Sequence, residues 1–191
     1  MATIKEHSKI KQGDKMIDRL INDNPNIYIF DLDGTIIDSS HRINFLPCGS
    51  LDLEKWKEKS TKENIFNDTL LPLYSKLNSV YKNGDIVILC TAREMGKWDY
   101  EFIFTHGIFH DKIISRPKGN NLKDHTLKAM QLHHFWQLRP YREKHKIFYD
   151  DNMANCRAID DLGNRYAKYC KTSVYNARTI NDSYLAKYEI S

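Results

Sequence analysis

Short apolar runs alternate along the chain with longer stretches in which apolar residues recur at helical spacing. Asn26-Ile27-Tyr28-Ile29-Phe30 is a compact run rich in β-formers that leads straight into Asp31, and it predicts a buried strand. Ile86-Val87-Ile88-Leu89-Cys90, closed by Thr91, predicts a second, and Lys112-Ile113-Ile114 a short third. Lys146-Ile147-Phe148-Tyr149 predicts a fourth, ending at Asp150-Asp151, and a fifth runs from Tyr169-Cys170 through Val174-Tyr175. Between these lie helical patterns. Leu73, Leu77, Val80 and Tyr81 mark one face of a helix, with Asp68 or Thr69 as its cap, Pro72 in its first turn and Gly84 beyond its end. Further helices are expected over about residues 98–105 before Gly107, 124–138 before Pro140, and 158–162 before Gly163. Residues 36–68 read as irregular apart from a short polar helix over 53–59. Residues 1–24 read as a polar arm or short amphipathic helix, stopped by Pro25.

Strands alternating with helices argue for a parallel sheet covered on both faces. The expected fold class is therefore α/β: a Rossmann-like, doubly wound, mainly parallel five-stranded sheet, forming one domain over residues 25–191. The length of 191 residues suits a single domain. A hydrophobic fraction of 41% with a net charge of only +4 excludes wholesale disorder. No apolar run approaches the roughly 18 residues of a membrane helix, and the basic N-terminal residues lack the apolar core of a secretory signal. Cys48, Cys90, Cys156 and Cys170 are far apart, without C-x-x-C or finger spacing. They read as reduced thiols in a cytoplasmic protein rather than zinc ligands.

The candidate chemistry lies just after the strands. Ligands of doubly wound sheets bind outside the carboxyl ends of the strands. Here the first strand ends in Asp31-Leu32-Asp33-Gly34-Thr35, the second in Thr91-Ala92-Arg93, and the fourth in Asp150-Asp151-Asn152. Four carboxylates converging on one edge repel one another, and a hard divalent cation such as Mg²⁺ is the natural counter-charge. In extended backbone, residues i and i+2 point the same way. Asp31 and Asp33 can then flank one reacting atom, one attacking phosphorus and the other protonating the leaving oxygen. Gly34 lets the chain turn sharply behind them.

Taken in order, DLDGT after a strand, a strand-terminal Thr-x-Arg, a downstream lysine and a strand-terminal Asp-Asp resemble the four motifs of the haloacid dehalogenase (HAD) superfamily of phosphotransferases. The resemblance covers about residues 26–175. It implies Asp31 as the nucleophile that forms an aspartyl-phosphate. It implies Asp33 as general acid and then base, with its backbone carbonyl also on the metal, and Thr91 as a hydrogen-bond donor to a phosphoryl oxygen. Mg²⁺ is the implied cofactor, with Asp31, Asp33, Asp150 and Asp151 as its site. Lys118, Lys123 and Lys128 compete for the lysine role. Residues 121–128 resemble the R-K-D-x-x-V-K stretch in the 3′-phosphatase domain of phage-type polynucleotide kinase, whose last lysine is catalytic. That favours Lys128, with Lys123 as the alternative. Leu51-Asp52-Leu53-Glu54-Lys55 resembles the Y-D-L-E-K segment of the same domain, and Ile114-Ser115-Arg116-Pro117-Lys118 is similar to its basic stretch. Gly34, Arg93, Arg116 and Lys123 are the expected substrate contacts. No G-x-x-x-x-G-K-[ST] occurs in these residues, so a stand-alone phosphatase without a kinase domain is expected.

Two features bear on the ester. The space between the first two motifs allows only a minimal cap, which suits a bulky substrate. Residues 112–149 carry nine Lys/Arg against two Asp/Glu, a local excess of +7 that leaves −3 for the rest of the chain. A phosphorylated nucleotide or nucleic-acid end is the expected partner, with no membrane and no protein partner indicated. The leading expectation is a polynucleotide 3′-phosphatase. A 5′(3′)-nucleotidase acting on mononucleotides is the alternative, and a catalytically silent nucleotide or nucleic-acid binding protein is the reading from another class. Trp56, Trp98 and Trp136 read as core or rim residues, with base stacking open to one of them.

Overall fold

The computed structural model describes residues 24–49 and 51–188, so the arm or helix expected over residues 1–24 lies outside the described residues but for Asn24. Seven strands are described: β1 (Ile27–Phe30), β2 (Ile37–Asp38), β3 (Thr69–Leu70), β4 (Ile86–Cys90), β5 (Lys112–Ile114), β6 (Lys146–Asp150) and β7 (Thr172–Asn176). Eight α-helices accompany them: α1 (Leu53–Glu58), α2 (Lys62–Phe66), α3 (Leu73–Lys82), α4 (Lys97–Thr105), α5 (Asp124–Gln137), α6 (Arg139–Arg142), α7 (Met153–Arg165) and α8 (Ala177–Tyr188). The main sheet is parallel throughout, in the order β5-β4-β1-β6-β7. Phe30 is level with Leu89 on one side and Tyr149 on the other. This register brings Asp31, Thr91 and Asp150 to the same edge of the sheet.

Successive strand residues face opposite sides, and each side has its own core. Ile27, Ile29, Ile86, Ile88, Cys90 and Phe148 pack against Leu132, Phe135 and Trp136 of α5 and Ile159 and Leu162 of α7. Phe30, Val87, Leu89, Ile147 and Tyr149 pack against Leu73 and Leu77 of α3, Phe102 and Ile103 of α4, and Ala177 of α8. The sheet is therefore doubly wound. Among the described residues no helix is long and apolar enough to cross a membrane.

Several local expectations are corrected. The segment read as irregular carries regular elements: β2 pairs antiparallel with β3, and α1 and α2 lie between them, making a small cap. Asp68 and Thr69 do not cap α3, whose N-cap is Pro72. Asp68 instead turns inward to meet the buried Arg42. Pro140 does not simply stop a helix; it sits in the first turn of α6, where its missing N–H costs nothing. Gly163 lies within α7 rather than ending it. A β-carbon there would stand 2.7 Å from Thr172 Cβ, so this glycine lets α7 press against β7. β7 begins at Thr172, not Tyr169, and α8 follows it without having been expected.

Candidate active site

The turn after β1 is built around one carbonyl. Leu32 O accepts from the backbone N–H groups of Thr35, Ile36 and Ile37, while Gly34 N–H returns to Ile37 O at 2.8 Å. Gly34 adopts φ +71°, which an L side chain rarely takes. Asn181 of α8 braces the turn from outside, donating to Thr35 O at 2.9 Å and accepting from Leu73 N–H at 3.0 Å. The turn leaves Asp31 at the tip of the central strand, only 6% exposed.

Lys128, in the second turn of α5 and 1% exposed, reaches this tip. Its Nζ stands 2.7 Å from Asp31 Oδ1 and 2.7 Å from Asp150 Oδ2. Asp150 is also held by Asn155 Nδ2 at 2.9 Å and by Asn152 N–H at 2.9 Å, both donating to its carboxylate. Burial opposes a charge on Lys128, but the two carboxylates outweigh burial and raise its pKa. Burial above all, with Asp150 and Asp33 nearby, pushes the Asp31 carboxyl well above its ordinary value although Lys128 pulls the other way. Asp151 is raised too, by burial first and Asp150 second, while Arg178 lowers it.

Asp31, Asp150 and Asp151 can each offer one oxygen to a common point, these atoms lying within 4.8 Å of one another. An all-carboxylate set at one strand edge matches the hard oxygen ligands that Mg²⁺ prefers. The Asp33 carboxylate does not join this group. Arg93 grips it from Nη2 and from Nε, the latter at 3.1 Å, and Ser39 Oγ donates to it at 2.5 Å. Burial alone would raise Asp33, but Arg93 and Ser39 overcome it and hold the carboxyl below its usual value.

Arg93 is 7% exposed and also meets Asp99 of α4 through Nη1. Its planar fork is thus engaged by two carboxylates, Asp33 and Asp99. Asp68 lies 3.8 Å from Arg93 Nη2 and accepts a bidentate pair from Arg42, at 3.0 and 2.6 Å. The indole of Trp56 lies over both guanidiniums, 4.4 Å from Arg42 Cζ and 5.5 Å from Arg93 Cζ. Thr91 is buried, and its Oγ1 accepts from Arg93 N–H at 3.1 Å.

The structure thus brings Asp31, Asp33, Thr91, Asp150, Asp151 and Lys128 to one edge, with Gly34 against Asp151. Arg116 and Lys123 stand apart from this group. Arg116 ties a loop together, donating to Ala92 O, Asn120 O and Leu122 O and pairing with Asp124 at 2.6 Å. Lys123 is exposed at the N-cap of α5, and Lys118 is exposed in the turn before it. The basic excess over 112–149 is likewise divided. Lys128 is in the site, Lys146 is buried at the opposite end of β6, and Arg139, Arg142 and Lys144 follow the far end of α5. Ser39, Arg42, Asp99, Asn155 and Asn181 escaped the sequence reading, and Asp68 was read only as a helix cap. Asn181 acts on partners remote in the chain, Ser39, Arg42 and Asp68 belong to the segment read as irregular, and Asp99 and Asn155 are polar positions in the first turns of helices. For Arg42 and Asp68, the one available signal was a charged residue on either side of the short cap helices.

Residues 21–183 match the family described as "Bacteriophage T5 5′-deoxynucleotidase". The 5′-deoxynucleotidase of Escherichia phage T5 is 42% identical over 88 residues, which cover 43% of this chain and 35% of that protein. The match thus spans about a third of the curated relative's length. Among solved structures, the haloacid dehalogenase-like family protein SP0104 from Streptococcus pneumoniae superposes with a TM-score of 0.55 at 16% identity, covering 74% of this chain and 82% of that one. A chain of the Pnkp1/Rnl/Hen1 complex gives 0.52 at 20% identity, covering 79% and 46%. These two likenesses show the fold, which is the HAD-like one.

Proposed function

This chain belongs to the bacteriophage T5 5′-deoxynucleotidase family, and from that we propose that it is a phosphomonoesterase hydrolysing deoxynucleoside 5′-monophosphates. The observation that carries the chemistry is Lys128 held 2.7 Å from both Asp31 and Asp150 at the tip of the central strand. In this reading an Asp31 oxygen attacks phosphorus, the bond to the 5′-oxygen breaks, and an aspartyl-phosphate forms. Asp33 delivers a proton to the departing oxygen, then takes one from the water that cleaves the aspartyl-phosphate and frees Asp31 and inorganic phosphate. Arg93 keeps Asp33 ionised in the free protein, which favours the base step. The charge of an arriving phosphate opposes that effect and helps Asp33 acquire its proton. Lys128 offsets the negative charge gathered on Asp31 and the phosphoryl oxygens, and Thr91 Oγ1 donates to one of those oxygens. Asp31, Asp150 and Asp151 would hold Mg²⁺, with the Asp33 carbonyl. The ion would supply Lewis-acid screening between carboxylate and phosphate.

A mononucleotide is preferred here over a polynucleotide 3′-end. The expectation of a polyanion rested on the minimal cap, on motif likenesses and on the basic segment 112–149, and the fold sends part of that last charge to the opposite end of the sheet. The test is a phosphatase assay with Mg²⁺ comparing deoxynucleoside 5′-monophosphates with 3′-phosphorylated oligonucleotides. Turnover of the mononucleotides that is lost with EDTA and in Asp31→Asn is the expected result. Faster turnover of the oligonucleotides would overturn the substrate choice, and activity persisting in Asp31→Asn would overturn the mechanism.

A further inference from the structure

The residues assigned so far address a phosphate and leave a nucleotide's base unread. Trp56 of α1 is the aromatic side chain tied most directly to the acid machinery. Arg93 links the two, with its Nε 3.1 Å from Asp33 Oδ2 and its Cζ 5.5 Å from the centre of the indole ring. One guanidinium therefore lies between Asp33 and Trp56 and contacts both. The position is fixed, because Arg42 and Arg93 beneath the ring are both buried and locked by Asp68, Asp33 and Asp99.

The surroundings of Trp56 are as distinctive as its position. It remains partly exposed, whereas Trp136 is fully buried in the core. The cap segment leading into it carries Ile43, Phe45, Leu46, Leu51 and Leu53, all exposed, Phe45 at 68% and Leu53 at 60%. Phe45 and Leu51 are bridged across the cap loop, which sets these two residues side by side. Single exposed apolar residues are ordinary, but five within eleven positions of one short cap segment exceed that scatter and suit an apolar ligand. A flat, π-faced heterocycle fits an indole within an apolar rim, since aromatic stacking accepts any base.

We propose that Trp56, with the apolar cap residues Phe45 and Leu53, forms the subsite that receives the base of the substrate nucleotide. This rests on the deoxynucleotidase reading. It makes the small cap the part of the protein that distinguishes a nucleotide from a simple sugar phosphate.

The test compares deoxyadenosine 5′-monophosphate with 2-deoxyribose 5-phosphate, in the full chain and in Trp56→Leu and Trp56→Phe. In Trp56→Leu the rise in KM for the nucleotide should exceed that for the sugar phosphate by about 5- to 100-fold. Trp56→Phe should recover most of the difference. An equal loss on both esters would assign Trp56 only to bracing Arg93 and overturn the subsite, as would an unchanged KM. Binding gives a readout that does not depend on turnover. In Asp31→Asn, deoxyadenosine 5′-monophosphate should quench indole fluorescence, and removal of Trp56 should abolish that quenching. Quenching that survives the removal overturns the subsite. Trp56-dependent quenching by the nucleotide without any hydrolysis by the unaltered protein would instead uphold the subsite and overturn the phosphatase reading.

Discussion

Gly34 and Asp151 approach so closely that a β-carbon on Gly34 would stand 2.6 Å from Asp151 Oδ2. The glycine is thus needed both for its φ of +71° and for the space it leaves. Gly34→Ala is expected to push Asp151 away from Asp31 and Asp150. Activity should fall by at least about 10-fold, with roughly 1–2 kcal/mol lost in denaturant unfolding. Raising Mg²⁺ should restore part of the activity if displacement of Asp151 is the cause.

Lys128→Met removes the one ammonium set between two buried carboxylates. Breaking a buried pair on one side costs about 3–5 kcal/mol. The loss should be visible in urea midpoints. Activity should fall by about 100-fold or more, as for other groups that stabilise developing charge. Lys123→Met, at an exposed helix cap, should alter neither quantity by a comparable amount. A Lys123→Met variant more impaired than Lys128→Met would reverse the assignment of the lysine.

Arg93→Lys keeps the charge but loses the fork shared by Asp33 and Asp99. With less to hold it down, the Asp33 carboxyl should titrate at higher pH. The acid limb of the rate profile should therefore move upward, and kcat should fall by about 10–100-fold. A profile that keeps its acid limb in place while kcat drops would show that Arg93 acts on something other than Asp33.

His110 gives a pH effect independent of the site. Burial lowers its pKa from the ordinary 6.5, against the smaller opposing pulls of the Ile108 carbonyl and Asp111. The depressed folded value means that its contribution to stability is present above pH about 6.5. It is lost as pH falls through the folded value, because the unfolded chain takes up the proton first. His110→Gln should lessen the loss of stability between pH 7.5 and 5.5. Equal losses in the two proteins would contradict this.

Much of the site was legible because its residues follow apolar strands directly. Asp31, Thr91 and Asp150 stand at the ends of β1, β4 and β6, so locating the strands located the chemistry. Lys128 was reachable through the spacing of a motif. The second set of contacts was hidden. Arg42 pairs with Asp68, and Asp68 and Asp99 both meet Arg93; a pattern of apolar positions does not register such charge pairs. Gly163 misled for a related reason. A glycine that ends a helix and one that admits a neighbouring strand look alike until the neighbour is known. The basic excess over 112–149 was correct as arithmetic but lost its meaning once α5 carried part of it to the other end of the sheet.

The central position of β1 has a consequence for how the chain acquires its shape. Its neighbours β4 and β6 lie roughly 60 and 120 residues further along, separations that slow folding. During synthesis, β1 can pair with β4 early, but its other edge stays open until β6 has emerged. Asp31 and Lys128 are thus both made before Asp150, the carboxylate that completes their arrangement. A nascent chain stalled ahead of β6 would expose the unpaired edge of the most apolar part of the sheet, which is where aggregation would begin.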